Sequence, residues 1–176
     1  MLKFAAIRSW MIKLAGSVLA VGMVAGLALA PAYAAGSPDA GTPPSPLNQA
    51  LSNIYQREQS WLSIQSNTLT DANTIAVNAQ NWINTLNGQG KDTSALVAAL
   101  TAFKAQVATA QTAHDTASGL LSAHAGFDGN GQVTDRAQAV STLRQAFQSL
   151  QTAHLTLVSA AVNLRLAVRN YINAHS

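Results

Sequence analysis

Three of the 4 histidines lie on apolar helical faces, where their imidazole groups are the side chains best suited to chemistry. Imidazole binds transition metals and haem iron, so His114, His124 and His154 would form a site if they met at one place. Folding the chain back at its two glycine-rich turns brings His114 near the level of Gln65. The same folding leaves His154 about 13 Å away along the bundle axis. We therefore expect no metal and no cofactor at these positions.

Polar side chains at core positions suggest a structural role instead. Glu58 and Gln65 share the apolar face of the first predicted helix, toward the end of the bundle that also carries His114 and His124. Buried polar residues fix the register of neighbouring helices in bundles. We therefore predict a buried polar layer made by these four residues. His114 and Asp115 are expected to point apart, because adjacent helical residues project in different directions.

The sequence FDGNGQVTD at residues 127–135 partly matches a calcium-binding loop. Asp128 and Asn130 fit the first two ligand positions of an EF-hand. The match then fails, because Val133 stands in place of the glycine, Asp135 in place of the apolar residue and Ala139 in place of the bidentate glutamate. Glycine, asparagine and aspartate between helices need only turn chemistry, so the segment is interpreted as a turn.

Residues for catalysis are scarce. The chain has no cysteine, which excludes disulfides, thiolate metal sites and a cysteine nucleophile. Glu58 is the only glutamate, so a di-iron bundle built on four glutamates is also excluded. No His-Glu-x-x-His motif, nucleophile elbow, phosphate loop or dinucleotide fingerprint occurs. We therefore predict that the protein is not an enzyme.

Three long helices are predicted to position these residues. No proline follows Pro46, and proline is the residue that most strongly interrupts a helix. One glycine cluster lies at residues 88–90 and another at residues 126–131. These breaks divide the chain into predicted helices over about 47–87, 93–124 and 135–174.

Each predicted helix carries a seam, meaning a row of residues at alternating intervals of four and three, which is typical of coiled-coil-like bundles. The first seam is Leu47, Leu51, Ile54, Glu58, Trp61, Gln65, Thr68, Ala72, Ile75, Ala79, Trp82 and Leu86. The second is Leu96, Leu100, Phe103, Val107, Ala110, His114, Ala117, Leu121 and His124. The third is Val140, Leu143, Phe147, Leu150, His154, Leu157, Ala161, Leu164, Val168 and Tyr171. The predicted fold class is all-α, an elongated antiparallel three-helix bundle with these 4,3 seams.

The third helix has more apolar residues than one seam needs. Leu155, Val158, Val162 and Leu166 form a second stripe, and the first helix is similarly broad around Val77. Two interpretations stay open for the stripe. It either thickens the core or forms a surface for a protein partner or for self-association.

The N-terminal region has the composition of an export signal. Three basic residues within residues 1–13 precede an uncharged stretch at residues 14–30 and the small-x-small site of Ala32 and Ala34. We interpret residues 1–34 as a signal peptide, with Met11 an alternative start and an uncleaved membrane anchor the alternative interpretation. Residues 35–46 are rich in proline and glycine and read as a linker.

Removal of that segment would leave a chain that carries about as many basic as acidic residues. Three of the 10 Lys and Arg residues lie before residue 34, whereas all 7 acidic residues lie beyond it. A neutral chain lacks the electrostatic footprint that nucleic acids or anionic lipids attract. We expect no nucleic-acid partner and no strong binding to anionic membranes.

Several short stretches resemble an uncharacterised family of exported bacterial helical proteins. They are GKDTSAL at residues 90–96, Phe103-Lys104, His114-Asp115 and HAGFD at residues 124–128. The resemblance covers most of the chain beyond the signal, and it implies a helical fold and export but no activity. There is a more distant likeness to the periplasmic helical chaperones of the Spy and CpxP type. Their Leu-Thr-x-x-Gln motif is approached by LTDAN at residues 69–73, which differs at the last position.

Together these patterns predict an exported, non-enzymatic helical bundle of the bacterial cell envelope, either periplasmic or extracellular. It would act through protein contacts or as a structural element. An ATP-independent envelope chaperone is the first alternative, and a carrier of a small ligand or haem is the second.

The signal interpretation predicts a defined N-terminus. Cleavage after Ala34 should leave Ala35 as the first residue, because signal peptidase cuts behind a small-x-small site. Mass spectrometry of the protein from its native host checks this. A chain that retains Met1 or Met11 in the membrane fraction would support the anchor instead.

Overall fold

The computed structural model describes residues 45–175, which form three α-helices. Helix α1 spans Pro46–Gly88, α2 spans Ser94–Ser122 and α3 spans Arg136–Ala174. The C-terminal half of α1 packs with the N-terminal half of α2 and the C-terminal half of α3, so consecutive helices run antiparallel. No β-strand occurs between residues 45 and 175, where Phe127 and Val133 make only an isolated bridge. The predicted all-α three-helix bundle is confirmed, whereas the predicted signal peptide and nearly all of the predicted linker lie outside the described residues.

Helix α1 begins inside the predicted linker. Pro46 occupies the first turn, where its missing N–H costs nothing and its fixed φ suits a helix. The Ser45 hydroxyl accepts a hydrogen bond from the Asn48 backbone N–H at 3.3 Å and so caps the helix. Arg136, the first residue of α3, donates to Ser45 Oγ and to Asn48 Oδ1. The residues at the end of the predicted linker therefore belong to the bundle.

The turn between α2 and α3 brings two backbones very close together. Gly126 has a φ of +86°, and a Cβ atom built there would lie 2.1 Å from the backbone nitrogen of Ala139. Only glycine fits this conformation and this distance. Thr142 donates its hydroxyl to the Ala125 carbonyl at 2.9 Å, which fastens the turn to the second turn of α3.

The core consists of two apolar clusters along the bundle. The larger one lies at the end with the α1–α2 turn, and it runs from Leu69 to Leu86 on α1, from Leu96 to Ala110 on α2 and from Ala153 to Tyr171 on α3. The smaller one lies at the other end and contains Leu51, Tyr55, Leu121, Phe127, Ala139, Leu143 and Ala146. The polar residues described below lie between these two clusters.

Helix α3 buries most of the predicted seam, from Leu143 through Leu150 and Leu157 to Tyr171, but it differs from that seam at three positions. The buried positions are Ala139, Ala146 and Ala153, each one residue before the predicted Val140, Phe147 and His154. With Ala160 these alanines recur every seven residues and are fully buried, and they alternate with Leu143, Leu150, Leu157 and Leu164. We call these four alanines the alanine row. The prediction was wrong at these three positions because it favoured larger side chains, whereas alanine allows helix axes to approach more closely.

The seam of α2 is buried as predicted from Leu96 to Leu121. On α1 the buried face is rotated slightly from the predicted seam. Tyr55, Leu69 and Ile83 are buried in place of the preceding residues Ile54, Thr68 and Trp82, which are only half-buried.

The alanine row predicts a steep size limit at its positions. Ala153→Leu should lower the free energy of unfolding by about 1–3 kcal/mol, because extra methylene groups in a packed core force side chains and backbone apart. Thr152→Leu is the matched control, because Thr152 is exposed on the same turn and should tolerate the change. Urea titration followed by circular dichroism measures both. Equal stability of the two variants would contradict close packing at the row.

Candidate functional site

A polar layer lies between the two apolar clusters. Glu58 and Gln65 come from α1 between Tyr55 and Leu69, and His114 comes from α2 between Ala110 and Leu121. All three are at least nine-tenths buried, with Glu58 only 5% exposed. These three positions, which sequence spacing assigned to the interior of the bundle, therefore hold buried polar side chains.

Two hydrogen bonds connect this layer across the bundle. Gln65 Nε2 on α1 donates to the carbonyl oxygen of Leu150 on α3 at 3.1 Å. His114 Nε2 on α2 lies 3.2 Å from the carbonyl oxygen of Leu62 on α1, with the ring N–H donating. Carbonyl groups within a helix have a second lone pair for such bonds. The layer thus joins α1 to both other helices at one level.

His114 also contacts the residue beside it. His114 Nδ1 lies 3.3 Å from Asp115 Oδ1, so the expectation that these two side chains point apart is wrong. Asp115 bends toward the ring while its carboxylate stays exposed, and Gln111 donates to the same oxygen at 2.8 Å. These hydrogen bonds, that of Gln111 first, lower the pKa of Asp115.

Glu58 is the most unusual group in the layer. Its Oε2 atom is buried and has no hydrogen-bond partner within residues 45–175, and the same holds for Gln65 Oε1 and Trp61 Nε1. Burial disfavours the charged carboxylate and raises the pKa of Glu58 to about 8. Glu58 is therefore mostly protonated at neutral pH.

Aromatic side chains border the layer on both sides. Tyr55 donates its hydroxyl to the Leu121 carbonyl at 2.8 Å and stacks on Phe127 with ring centroids 4.4 Å apart. Trp61 packs against Phe147 and His154 of α3, with centroid distances of 5.8 and 6.4 Å. Sequence spacing did not reveal the contacts of Tyr55, because Tyr55 lies one residue off the predicted seam, whereas Trp61, Phe147 and His154 were all assigned to seams.

His124 does not join the polar layer. Helix α2 ends at Ser122, and His124 adopts a left-handed φ of 52° in the following turn, where it is half-buried. Its Nδ1 atom lies 2.7 Å from the Ser122 carbonyl oxygen. The predicted helix was two residues too long at this end, and the turn places the His124 ring 6.0 Å from the ring of Tyr55 instead of in the polar layer.

The histidines do not form one site. His154 lies beside Trp61, where partial burial lowers its pKa, and His114 is engaged with Leu62 and Asp115. Within residues 45–175, no group of three or more His, Cys, Asp or Glu residues is arranged to hold a metal ion.

The second stripe of α3 faces solvent. Leu155 and Val162 are each 48% exposed, Leu166 is 41% exposed and Val158 is half-buried. Leu155 and Leu166 each lie two residues from a buried leucine, which is about 200° around a helix, so they point away from the core. We call these four residues the outer face.

The exposure of the extra apolar residues can be compared with the two interpretations of the stripe, a thicker core or a contact surface. On α1, Leu69 and Ile83 are buried and do thicken the core, whereas Val77 is exposed. On α3, Leu155, Val162 and Leu166 are exposed and therefore do not thicken the core.

The fold and the site together define a three-helix bundle with a polar layer and an apolar outer face. No protein-family model matches the chain, and no curated protein or solved structure matches it either. Of the helices in residues 45–175, none has the length and apolar character needed to cross a membrane.

The buried carboxyl group predicts a pH-dependent stability. The pKa of Glu58 is about 8 in the folded chain and about 4.5 when unfolded, so the folded state holds the extra proton between these values. The contribution of the Glu58 proton to the free energy of unfolding is therefore fully present below about pH 4.5 and is lost as the pH rises toward 8. Each pKa unit corresponds to about 1.4 kcal/mol, so the total loss is on the order of 3 to 5 kcal/mol.

Glu58→Gln tests this effect, because glutamine keeps the shape and cannot ionise. The free energy of unfolding of both chains is measured by urea titration at pH 5 and at pH 8.5. Relative to the parent chain, the variant should be more stable at pH 8.5 than at pH 5. Comparing the two chains cancels the titration of the histidines, which both share. A difference that stays constant across this range would show that Glu58 is not buried in its acid form.

Proposed function

We propose that this protein is an exported, non-enzymatic helical bundle of the bacterial cell envelope that acts through protein contacts made by α3. The single observation that carries the proposal is the outer face, whose apolar side chains point away from the core. Apolar patches on soluble proteins commonly mark interaction sites. Export is supported by the composition of residues 1–34.

The polar layer supports a mechanical role rather than a chemical one. Its hydrogen bonds run from side chains of α1 and α2 to backbone carbonyls of neighbouring helices, and Glu58 lies 5% exposed and away from bulk solvent. A group that reacts with a substrate must be within reach of that substrate. Bonds of this kind hold the bundle in one register and so present the outer face on a rigid helix.

An ATP-independent chaperone is the second candidate. Exposed apolar side chains also occur on the other helices, where Ile64 is 51%, Val77 60% and Val97 43% exposed. Such separated apolar residues would suit weak contacts with many unfolded clients. The third interpretation, a small-ligand or haem carrier, gains no support from the separate surroundings of the three histidines.

Photo-crosslinking in intact cells tests the proposal. A photoreactive residue at Val162 should give one or a few discrete adducts, because this side chain lies at the centre of the outer face. The matched control is the same residue at Thr112, which is exposed on α2 and should give none. A broad range of adducts, with suppression of client aggregation in the absence of ATP, would favour the chaperone. The proposed contact function fails if Val162 gives no adduct in cells that contain the protein.

A further inference from the structure

We propose that the occupant of the outer face is a second copy of this chain, with the two α3 helices paired antiparallel. This inference rests on the proposed contact function and names its partner. It is carried by the spacing of the apolar residues, by the positions of the arginines and by the size of the exposed surface.

The outer face is nearly symmetric along the chain. Leu155, Val158, Val162 and Leu166 read Leu, Val, Val, Leu, with intervals of three, four and four. A two-fold axis that passes between the two α3 helices, perpendicular to them and at the level of residue 160, brings Leu155 opposite Leu166 of the second copy. The same axis brings Val158 opposite Val162 of that copy. A two-fold contact needs a surface that is complementary to itself, and this row meets that need.

The charges of α3 favour the antiparallel direction. Between Arg136 and Ala174 there is no acidic residue, and Arg165 and Arg169 are exposed beside the outer face. Neither arginine makes an ion pair within residues 45–175. Parallel pairing would set each arginine against its own counterpart, and like charges facing each other destabilise a contact.

Antiparallel pairing removes this conflict. Arg165 then lies at the level of Thr156 and Arg169 at the level of Thr152 of the second copy, where α3 carries no arginine or lysine. The two copies of Arg165 are separated by about 14 Å along the axis and the two copies of Arg169 by about 25 Å, at about 1.5 Å per residue. Most of their repulsion is screened at these distances in physiological salt.

The size of the outer face predicts a weak dimer. Four half-exposed aliphatic side chains present roughly 300 Å² of apolar surface, which is at the lower end for functional patches. A standard protein interface buries about 800 Å² on each partner, so the outer face would form only its centre. Exposed polar residues along α3, from Gln148 to Asn173, would supply the rim. A reversible dimer is therefore expected rather than a permanent one.

Cysteine crosslinking can measure the direction of pairing, because the natural chain has no cysteine. Gln148 and Asn173 are exposed on the same side of α3 as the outer face, and antiparallel pairing sets one opposite the other. The two copies of Gln148 would then be about 37 Å apart. Full-length chains carrying Gln148→Cys or Asn173→Cys are co-produced in the host and oxidised with diamide.

The expected result is a disulfide-linked dimer when both variants are present and none when either variant is produced alone. A homodimer from Gln148→Cys alone would show parallel pairing and would overturn the inference. Absence of any linked dimer, together with a single monomeric species in sedimentation of the purified full chain, would overturn it as well.

A second measurement tests whether the outer face carries the contact. Leu155→Gln with Val162→Gln should raise the dimer dissociation constant in sedimentation by about tenfold or more. The control pair is Ile64→Gln with Val97→Gln, which changes equally exposed apolar residues on α1 and α2 and should leave the constant unchanged. Circular dichroism of both double variants should remain helical. An unchanged constant in the Leu155 and Val162 variant would overturn the inference.

The adducts formed at Val162 separate this inference from the function on which it rests. Adducts with a second copy of the chain support both. Adducts with a different protein overturn self-pairing but leave the contact function standing, and the absence of adducts overturns both.

Discussion

Close packing of α2 against α3 is the constraint on which the rest of the structure depends. This pair makes the most extensive contact of the three helix pairs. The alanine row of α3 and the buried Ala110 and Ala117 of α2 provide the small side chains that this contact requires. The distance between helix axes follows the size of the side chains at the contact, and alanine gives the short end of that range. The same requirement for small groups extends into the turn, where Gly126 lies against the backbone of Ala139.

Helix α1 is held in a different way, and the polar layer follows from that difference. Its buried residues are mostly larger, including Tyr55, Leu69 and Ile83, and it makes less contact with the other two helices. Apolar side chains alone allow a helix to slide along its neighbours at little cost. The hydrogen bonds of Gln65 and His114 exist in one register only, because each needs a particular carbonyl group. The buried carboxyl of Glu58 has no such bond, so its burial costs free energy without fixing the register of α1.

Sequence spacing predicted the three helices and the interior position of Glu58, Gln65 and His114, because these depend on the absence of proline and on a regular 4,3 interval. The seam of α2 was predicted residue by residue from Leu96 to Leu121, and none of the other residues of that helix is buried. On α3 the predicted seam shares Leu143, Leu150, Leu157 and Leu164 with the buried face, but it takes the row of Val140, Phe147 and His154, whose side chains are larger, instead of the alanine row. Which row turns inward is decided by how closely α2 approaches, and that distance is a property of the pair and not of one helix. His124 was misplaced for a related reason, since its turn depends on contacts of Gly126 with α3.

The choice of the alanine row also explains why α3 has an apolar surface outside. Once alanines and leucines at 4,3 spacing fill the inner side, Leu155, Val162 and Leu166 are left about half a turn away. No rotation of α3 buries both rows in a three-helix bundle, because rotation that hides one exposes the other. A helix that is apolar on opposite sides is stable when both sides are covered. The bundle covers only the inner side, and the self-pairing proposed above would cover the outer one with a matching row of the same sequence.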